Sequence, residues 1–286
     1  MEEVRDMIPK KIHYCWLSGE KMPKNITASI NSWKIIMPDY EFVLWDANKF
    51  DINSTTWTRE AFNANKWALA ADYIRLYAVY NEGGIYLDTD VFVFKRFDDF
   101  LKYDYFSSFE FNFATKIFKD VLNSDMDDIQ PIIGYTPGIQ LEAGIFGGVK
   151  GHPFLRDCMA WYEQRHFILP DGTYNTRVYA PHIYAAVAQK YGLRYVTEEQ
   201  TLDNNMIIFP AGKPFALVES SHTETTIEPG VHAVHWHEGS GWWKQRSGFI
   251  GWAIRNNMIR RLFGRRPEIK MDDTIREWTK LINVKP

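Results

Sequence analysis

The sequence predicts an α/β sandwich on a largely parallel sheet, because strand-like and helix-like segments alternate along it. Two further observations support that class. A double glycine joins the most periodic helix directly to the most β-branched strand, and no repeat or low-complexity tract breaks the order. The 286 residues suit one large domain or a domain with an appended lobe. At 45% hydrophobic and 24% charged residues, a core can form without disulfides.

Each element has its own signal. Lys11 to Leu17 (KIHYCWL) reads as the first strand, closed by Ser18-Gly19. Asn25 suits an N-cap for a helix carrying Ile26, Ile30 and Trp33 at helical spacing, which must stop before Pro38. Glu41 to Trp45 is a second strand. From Asn65 to Tyr80 the residues Ala68, Leu69, Tyr73, Leu76, Tyr77 and Tyr80 keep a 3.6-residue period, and Gly83-Gly84 ends the helix. Ile85 to Phe94 (IYLDTDVFVF) reads as one strand interrupted by two carboxylates. Ala143 to Val149 predicts a buried strand, His152 to His166 and Tyr179 to Tyr191 helices, and Ala233 to Trp236 a short late strand. Two helices outside the sheet are expected from about Phe249.

The bulk properties exclude some partners. A net charge of -3 provides no basic field for nucleic acid. Cys15 and Cys158 sit in apolar surroundings and read as reduced, buried thiols of a cytosolic protein. The start MEEVRDMIPKK has no apolar core of a signal peptide, and no stretch reaches the roughly 18 apolar residues of a membrane span. The expected location is therefore the cytoplasm. The 16% aromatic content, with 11 Trp and 15 Tyr, fills cores and also suits stacking on sugars and bases.

Asp88 and Asp90 lie two apart at the end of an apolar strand, so the pattern puts both on one face. Paired buried carboxylates are costly unless a divalent cation neutralises them, and strand C-termini are where α/β folds bind ligands. The plainer reading is an acidic turn. Asp72 and Arg75 share a helix face, either as a surface ion pair or, since Gly83-Gly84 leads straight into the Asp88 strand, as part of the same pocket. An Arg there suits phosphate and an Asp suits sugar hydroxyls.

The run ALAADYIRLYAVYNEGGIYLDTDV resembles the donor-site signature of family 32 glycosyltransferases, whose sugar-binding region contains a DXD motif. More distantly it is similar to the glucosylating domains of large clostridial toxins. IPKKIHYCWLSGE, EAGIFGGVKGHPFL and VHWHEGSGWW resemble further segments of the family, so the likeness spans roughly residues 8 to 245. It implies a GT-A-like single Rossmann-type nucleotide-binding sandwich over residues 1–248, with C-terminal helices at 249–286 packed on it.

The same resemblance implies roles. Trp16 would stack on the nucleotide base, Asp72 and Arg75 would hold the donor sugar with Arg75 also near the phosphates, Asp88 would contact sugar or ribose hydroxyls and the metal, and Asp90 would bind the metal directly. The late motif departs from the family, which often has adjacent histidines. Here His235-Trp236-His237-Glu238-Gly239-Ser240-Gly241-Trp242 allows either histidine as a metal ligand. His237 is favoured, being three before Ser240 and five before Trp242. Ser240 and Trp242 would close over the diphosphate, with Lys244 nearby.

The implied chemistry is transfer of a hexose from a nucleotide sugar, UDP-linked or as GDP-mannose, to a saccharide hydroxyl with retained configuration. An oxygen and imidazole shell suits Mn²⁺ somewhat better than Mg²⁺. Glu142 is the sole candidate for a covalent nucleophile, and could instead bind the acceptor or cap a strand. Arg255, Arg260, Arg261, Arg265 and Arg266 interleave with apolar residues, a pattern suited either to a packed terminal helix or to the inner face of a membrane. The latter would suit capsular polysaccharide assembly on a lipid-linked acceptor. Two rivals remain. A haloacid-dehalogenase-type phosphatase also uses Asp-x-Asp, but carries Thr or Val where this chain has Phe92, and usually follows its first strand. A non-catalytic saccharide-binding protein would not need Asp72, Arg75, Asp88 and Asp90 together.

Overall fold

The structure, a computed structural model, describes residues 7–111, 139–176, 178–194, 198–217 and 230–235. Its main sheet runs β2-β1-β3-β7-β5-β9-β8, formed by β1 (Lys11–Cys15), β2 (Glu41–Trp45), β3 (Gly84–Leu87), β5 (Tyr105–Phe111), β7 (Ile145–Gly148), β8 (Gln200–Leu202) and β9 (Met206–Phe209). β6 (Ile139–Leu141) pairs with β5 off this path. β1 is parallel to both β2 and β3, and β5 is parallel to β9. β7 is antiparallel to both β3 and β5, and β8 is antiparallel to β9. Five strands therefore share one direction, and the expected α/β class with a largely parallel sheet is what the chain adopts.

Alternation along the strands sends side chains into two cores. Tyr86, Met206 and Ile208 join the core beneath helices α2 (Thr56–Asn63), α3 (Trp67–Glu82), α4 (Pro153–Glu163) and α5 (Ala180–Ala188). Ile85, Leu87, Ile207 and Phe209 point the other way, into a core with Ile26, Ile30 and Trp33 of α1 (Lys24–Ile36). Helix α3 ends at Gly83, whose φ of 65° favours glycine and whose N–H donates to the Val79 carbonyl. At Gly84 a Cβ would sit 2.7 Å from the Lys11 carbonyl oxygen, so only glycine allows β3 to lie against β1 here.

Three expectations need correction. Asn25 does not cap α1: Pro23 does, its fixed φ setting the start while its carbonyl takes the Thr27 N–H. Asn65 is not helical either. It adopts φ 56° in the link between α2 and α3, which begins at Trp67. Most consequential, Ile85 to Phe94 is two strands. β3 belongs to the main sheet, whereas β4 (Val91–Val93) joins a smaller sheet in the order β10-β11-β4, with β10 (Phe215–Leu217) and β11 (Ala233–His235). Asp88 to Asp90 is the turn between them, closed by the Val91 N–H donating to the Asp88 carbonyl. The boundary at residue 248 and the expected C-terminal helices lie outside the described residues.

Candidate functional site

Strand direction brings the ends of β1, β3 and β5 to one edge of the sheet. At that edge the chain leaves β3, and the Asp88 N–H donates to the Gly144 carbonyl just before β7. Because β4 begins immediately after Asp90 and pairs antiparallel with β11, Val91 lies opposite His235. That register, and not strand alternation, is what gathers the carboxylates with a histidine. His235 Nε2 is 3.2 Å from Asp90 Oδ1 and 3.7 Å from Asp88 Oδ2. One ligand atom from each of the three residues falls within 4.8 Å of the others. The Asp88 side chain is 26% exposed against 11% for Asp90 and 8% for His235, so the cluster opens to solvent through Asp88.

Behind His235 lies Glu142, fully buried. Its Oε1 is 3.1 Å from His235 Nδ1 and accepts the Gly144 N–H at 2.6 Å. A Cβ on Gly144 would stand 2.5 Å from His235 Cε1 and 2.8 Å from Asp88 Oδ2, so this position must be glycine for the cluster to close.

Helix α3 contributes the second half. Arg75 Nη2 donates to Asp72 Oδ1 at 2.5 Å, and Nη1 donates to the Ala143 carbonyl at 2.8 Å and lies 3.7 Å from Asp88 Oδ2. The guanidinium lies 5.2 Å from the centre of the Tyr86 ring, whose hydroxyl donates to Asp88 Oδ1 at 2.7 Å. Asp72 and Arg75 are both buried, which removes the surface ion pair as their explanation. Tyr86 was not anticipated. Its signal was the i, i+2 spacing from Asp88 along the strand.

The electrostatics follow from burial against crowded carboxylates. Burial pushes the Asp72 carboxyl up to about 6, with Asp88 adding to the rise and Arg75 opposing it. Burial works against charge on Arg75 and on His235 as well. Asp88 and Asp72 outweigh it for Arg75, and Asp90 and Glu142 outweigh it for His235, so both sit well above their ordinary values. Among the described residues, Asp72 and Asp88 flank Arg75 while Asp90 and Glu142 flank His235, so carboxylates outnumber cations, an imbalance that a divalent ion would relieve.

The donor set fits such an ion. Ligands about 2.1 Å from an octahedral metal stand about 3 Å from one another, close to the 3.2 and 3.7 Å found. With Nε2 facing the ion, Nδ1–H would donate to Glu142, the arrangement by which a carboxylate orients a ligating histidine. Among the described residues, His235 is thus the histidine that the structure brings to the aspartates. His237, Ser240, Trp242 and Lys244 lie outside the described residues. Trp16 stands at the same sheet edge, directly after β1 and half-buried, with its indole N–H donating to the Glu20 carbonyl at 2.7 Å.

Comparison with known proteins bears on this geometry. Residues 23–107 match a family model described as the glycosyltransferase sugar-binding region containing DXD motif. The chain is 24% identical over 259 residues to inositol phosphoceramide mannosyltransferase 3 of Schizosaccharomyces pombe, covering 87% of this chain and 60% of that protein. It is 33% identical over 101 residues to inositol phosphoceramide mannosyltransferase 2 of the same organism, covering 34% and 29%. The chain thus spans less than two thirds of the length of these relatives. Among solved structures it is similar to the PaToxG glycosyltransferase, with a TM-score of 0.44 and 18% identity over 65% of this chain and 70% of that one. Asp72, Arg75, Asp88 and Asp90 all fall within the matched stretch, with Asp88-Thr89-Asp90 as its DXD. The likeness to that family description extends over residues 23–107.

Proposed function

We propose that the protein is a metal-dependent glycosyltransferase that moves a hexose from a nucleotide sugar to a hydroxyl of a saccharide. The observation that carries this reading is the convergence of Asp72, Arg75, Asp88, Asp90 and His235 on one sheet edge, inside and directly beside the DXD region. Asp88, Asp90 and His235 would hold Mn²⁺ or Mg²⁺, which offsets the charge of the departing diphosphate. Arg75, fixed by Asp72 and the Ala143 carbonyl, presents a guanidinium beside Asp88 for phosphate or sugar oxygens. Asp72 supplies an acceptor for donor-sugar hydroxyls, and Trp16 a half-exposed indole for the base. Glu142, buried and bonded to Gly144 and His235, serves as a positioning residue and not as a nucleophile.

Retention of configuration rests on the family resemblance, and an inverted product by NMR would overturn it. The relatives are named mannosyltransferases, which favours a mannosyl donor beside the UDP-hexoses expected from the sequence. Cytoplasmic location is supported by two cysteines that are both free and buried. Among the described residues no helix is long and apolar enough to cross a membrane. Contact with a membrane, and with a lipid-linked acceptor in polysaccharide assembly, rests on the basic segment 255–266, outside the described residues. Binding to anionic vesicles at low salt tests it.

The central test is donor hydrolysis by the purified chain with GDP-mannose and a panel of UDP-hexoses, with and without Mn²⁺, beside Asp90→Ala. Metal-dependent release of one nucleotide that the variant loses is the expected result. Release that ignores metal and survives the substitution would sink the reading.

A further inference from the structure

One side chain touches both halves of the site. Tyr86 is buried on β3, two residues before Asp88, among the core residues beneath α3. Its ring is held by two neighbours. The Arg75 guanidinium stands 5.2 Å from the ring centre, and the ring of Phe146, its register partner on β7, stacks against it at 5.6 Å and 28°. A ring packed in this way fixes where its hydroxyl lies, and that hydroxyl is 2.7 Å from Asp88 Oδ1. A carboxylate has no proton to give, so the phenol is the donor.

The two oxygens of Asp88 are thereby made unequal. Oδ1 is taken by Tyr86. Oδ2 is the oxygen that faces both His235 Nε2 and Arg75 Nη1, each at 3.7 Å. That division matters to the choice of ion. A small octahedral cation such as Mg²⁺ or Mn²⁺ suits single ligand atoms in near-ideal geometry. Ca²⁺ takes about six to eight oxygens and readily accepts both from one carboxylate.

We propose that Tyr86 is a positioning residue that presents Asp88 through Oδ2 alone, and that its hydroxyl biases the cluster toward a small octahedral ion over Ca²⁺. The inference rests on the reading of Asp88, Asp90 and His235 as cation ligands, and is independent of the reaction carried out there. Without the hydroxyl, the Asp88 carboxylate is free to turn. It can then offer both oxygens to an ion or close on Arg75.

The test is calorimetric titration of the full chain with Mn²⁺ and, separately, with Ca²⁺, no nucleotide being present. Tyr86→Phe keeps the ring beside Arg75 and Phe146 and removes only the hydroxyl. Its Mn²⁺ affinity is expected to fall about 10- to 100-fold, the usual effect of losing a group that orients a metal ligand. Ca²⁺ affinity should fall far less, so the preference for Mn²⁺ over Ca²⁺ narrows by at least about tenfold. The His235 imidazole also disfavours Ca²⁺, so it is the change in preference on substitution that carries the result. Tyr86→Met, which lacks the hydroxyl in a side chain of different shape, should narrow the preference too. Metal-free melting confirms that each variant is folded. An unchanged preference in folded Tyr86→Phe, or a parent chain that binds no Mn²⁺, would overturn the inference. Donor hydrolysis reports separately on the catalytic reading. Its absence, with the change in ion preference intact, would remove the enzyme and leave the role of Tyr86 standing.

Discussion

His235 Nδ1 lies 3.1 Å from the Glu142 carboxylate although 93 positions separate the two residues. Glu142 is in turn locked to the Gly144 N–H, so the imidazole is aimed from behind while Nε2 faces Asp90. Glu142→Gln keeps the shape and removes the charge that favours Nδ1–H. Its affinity for Mn²⁺, followed by titration calorimetry, is expected to fall about 10- to 100-fold. Nucleotide release should recover at saturating Mn²⁺, because the residue positions a ligand and does not touch substrate. A loss that excess Mn²⁺ cannot restore would give Glu142 a direct chemical role.

Gly144→Ala places a methyl group 2.5 Å from the His235 ring. Either the loop before β7 or the histidine must shift, at a cost of about 1–3 kcal/mol for overpacking. Denaturant unfolding measures that cost. Cation affinity should drop with it, whereas a variant that binds Mn²⁺ like the parent would show that the three ligands are not gathered as described.

Arg75→Lys conserves charge but not function. The guanidinium spans Asp72, the Ala143 carbonyl and the neighbourhood of Asp88 at once, which one ammonium cannot do. Loss of donor binding together with a lower melting temperature is expected. Arg75→Met, which strands Asp72 in the interior, should destabilise by about 3–5 kcal/mol.

His13 predicts an acid transition. Its Nδ1 accepts the Trp45 indole N–H at 3.0 Å, and Nε2 stands 2.8 Å from the Gly83 carbonyl, so the neutral ring satisfies both contacts. Protonation at Nδ1 would set two donors against each other. Burial is the main cause that lowers its pKa from 6.5 to about 4. A depressed histidine binds its proton more readily when unfolded, so its contribution is intact above pH 6.5 and is lost as pH falls towards 4. The expected loss is about 3 kcal/mol. Urea unfolding of the parent and His13→Gln at several pH values checks it. Parallel pH curves for the two proteins would count against this assignment.

Local signals read well where local chemistry decides. The periodicity of α3, the glycine junction at 83 and 84, the strand at 41–45 and the buried run at 145–148 all lie where their side chains required. The break at Asp88 was not legible, because Val91, Phe92 and Val93 continue the apolar pattern of Ile85, Tyr86 and Leu87. Only pairing with β11, 140 or so positions away, assigns them to another sheet. Motif spacing favours His237, which lies outside the described residues, and it is register against Val91 that brings His235 to the aspartates. Glu142 was visible as a carboxylate before a glycine-rich strand, but its contact with His235 depends on that same long-range pairing.

The turn at Asp88 to Asp90 is where the main sheet hands the chain to the smaller one, so the ligands of the candidate cation site sit on both sides of a mechanical seam. Asp88 ends one sheet, and His235 belongs to the other. A bound cation would act as a rivet across that seam, coupling the two sheets through bonds stronger than the packing beside them. Chelators would then do more than silence a reaction: they would loosen the join between the sheets, and melting would become dependent on cation concentration.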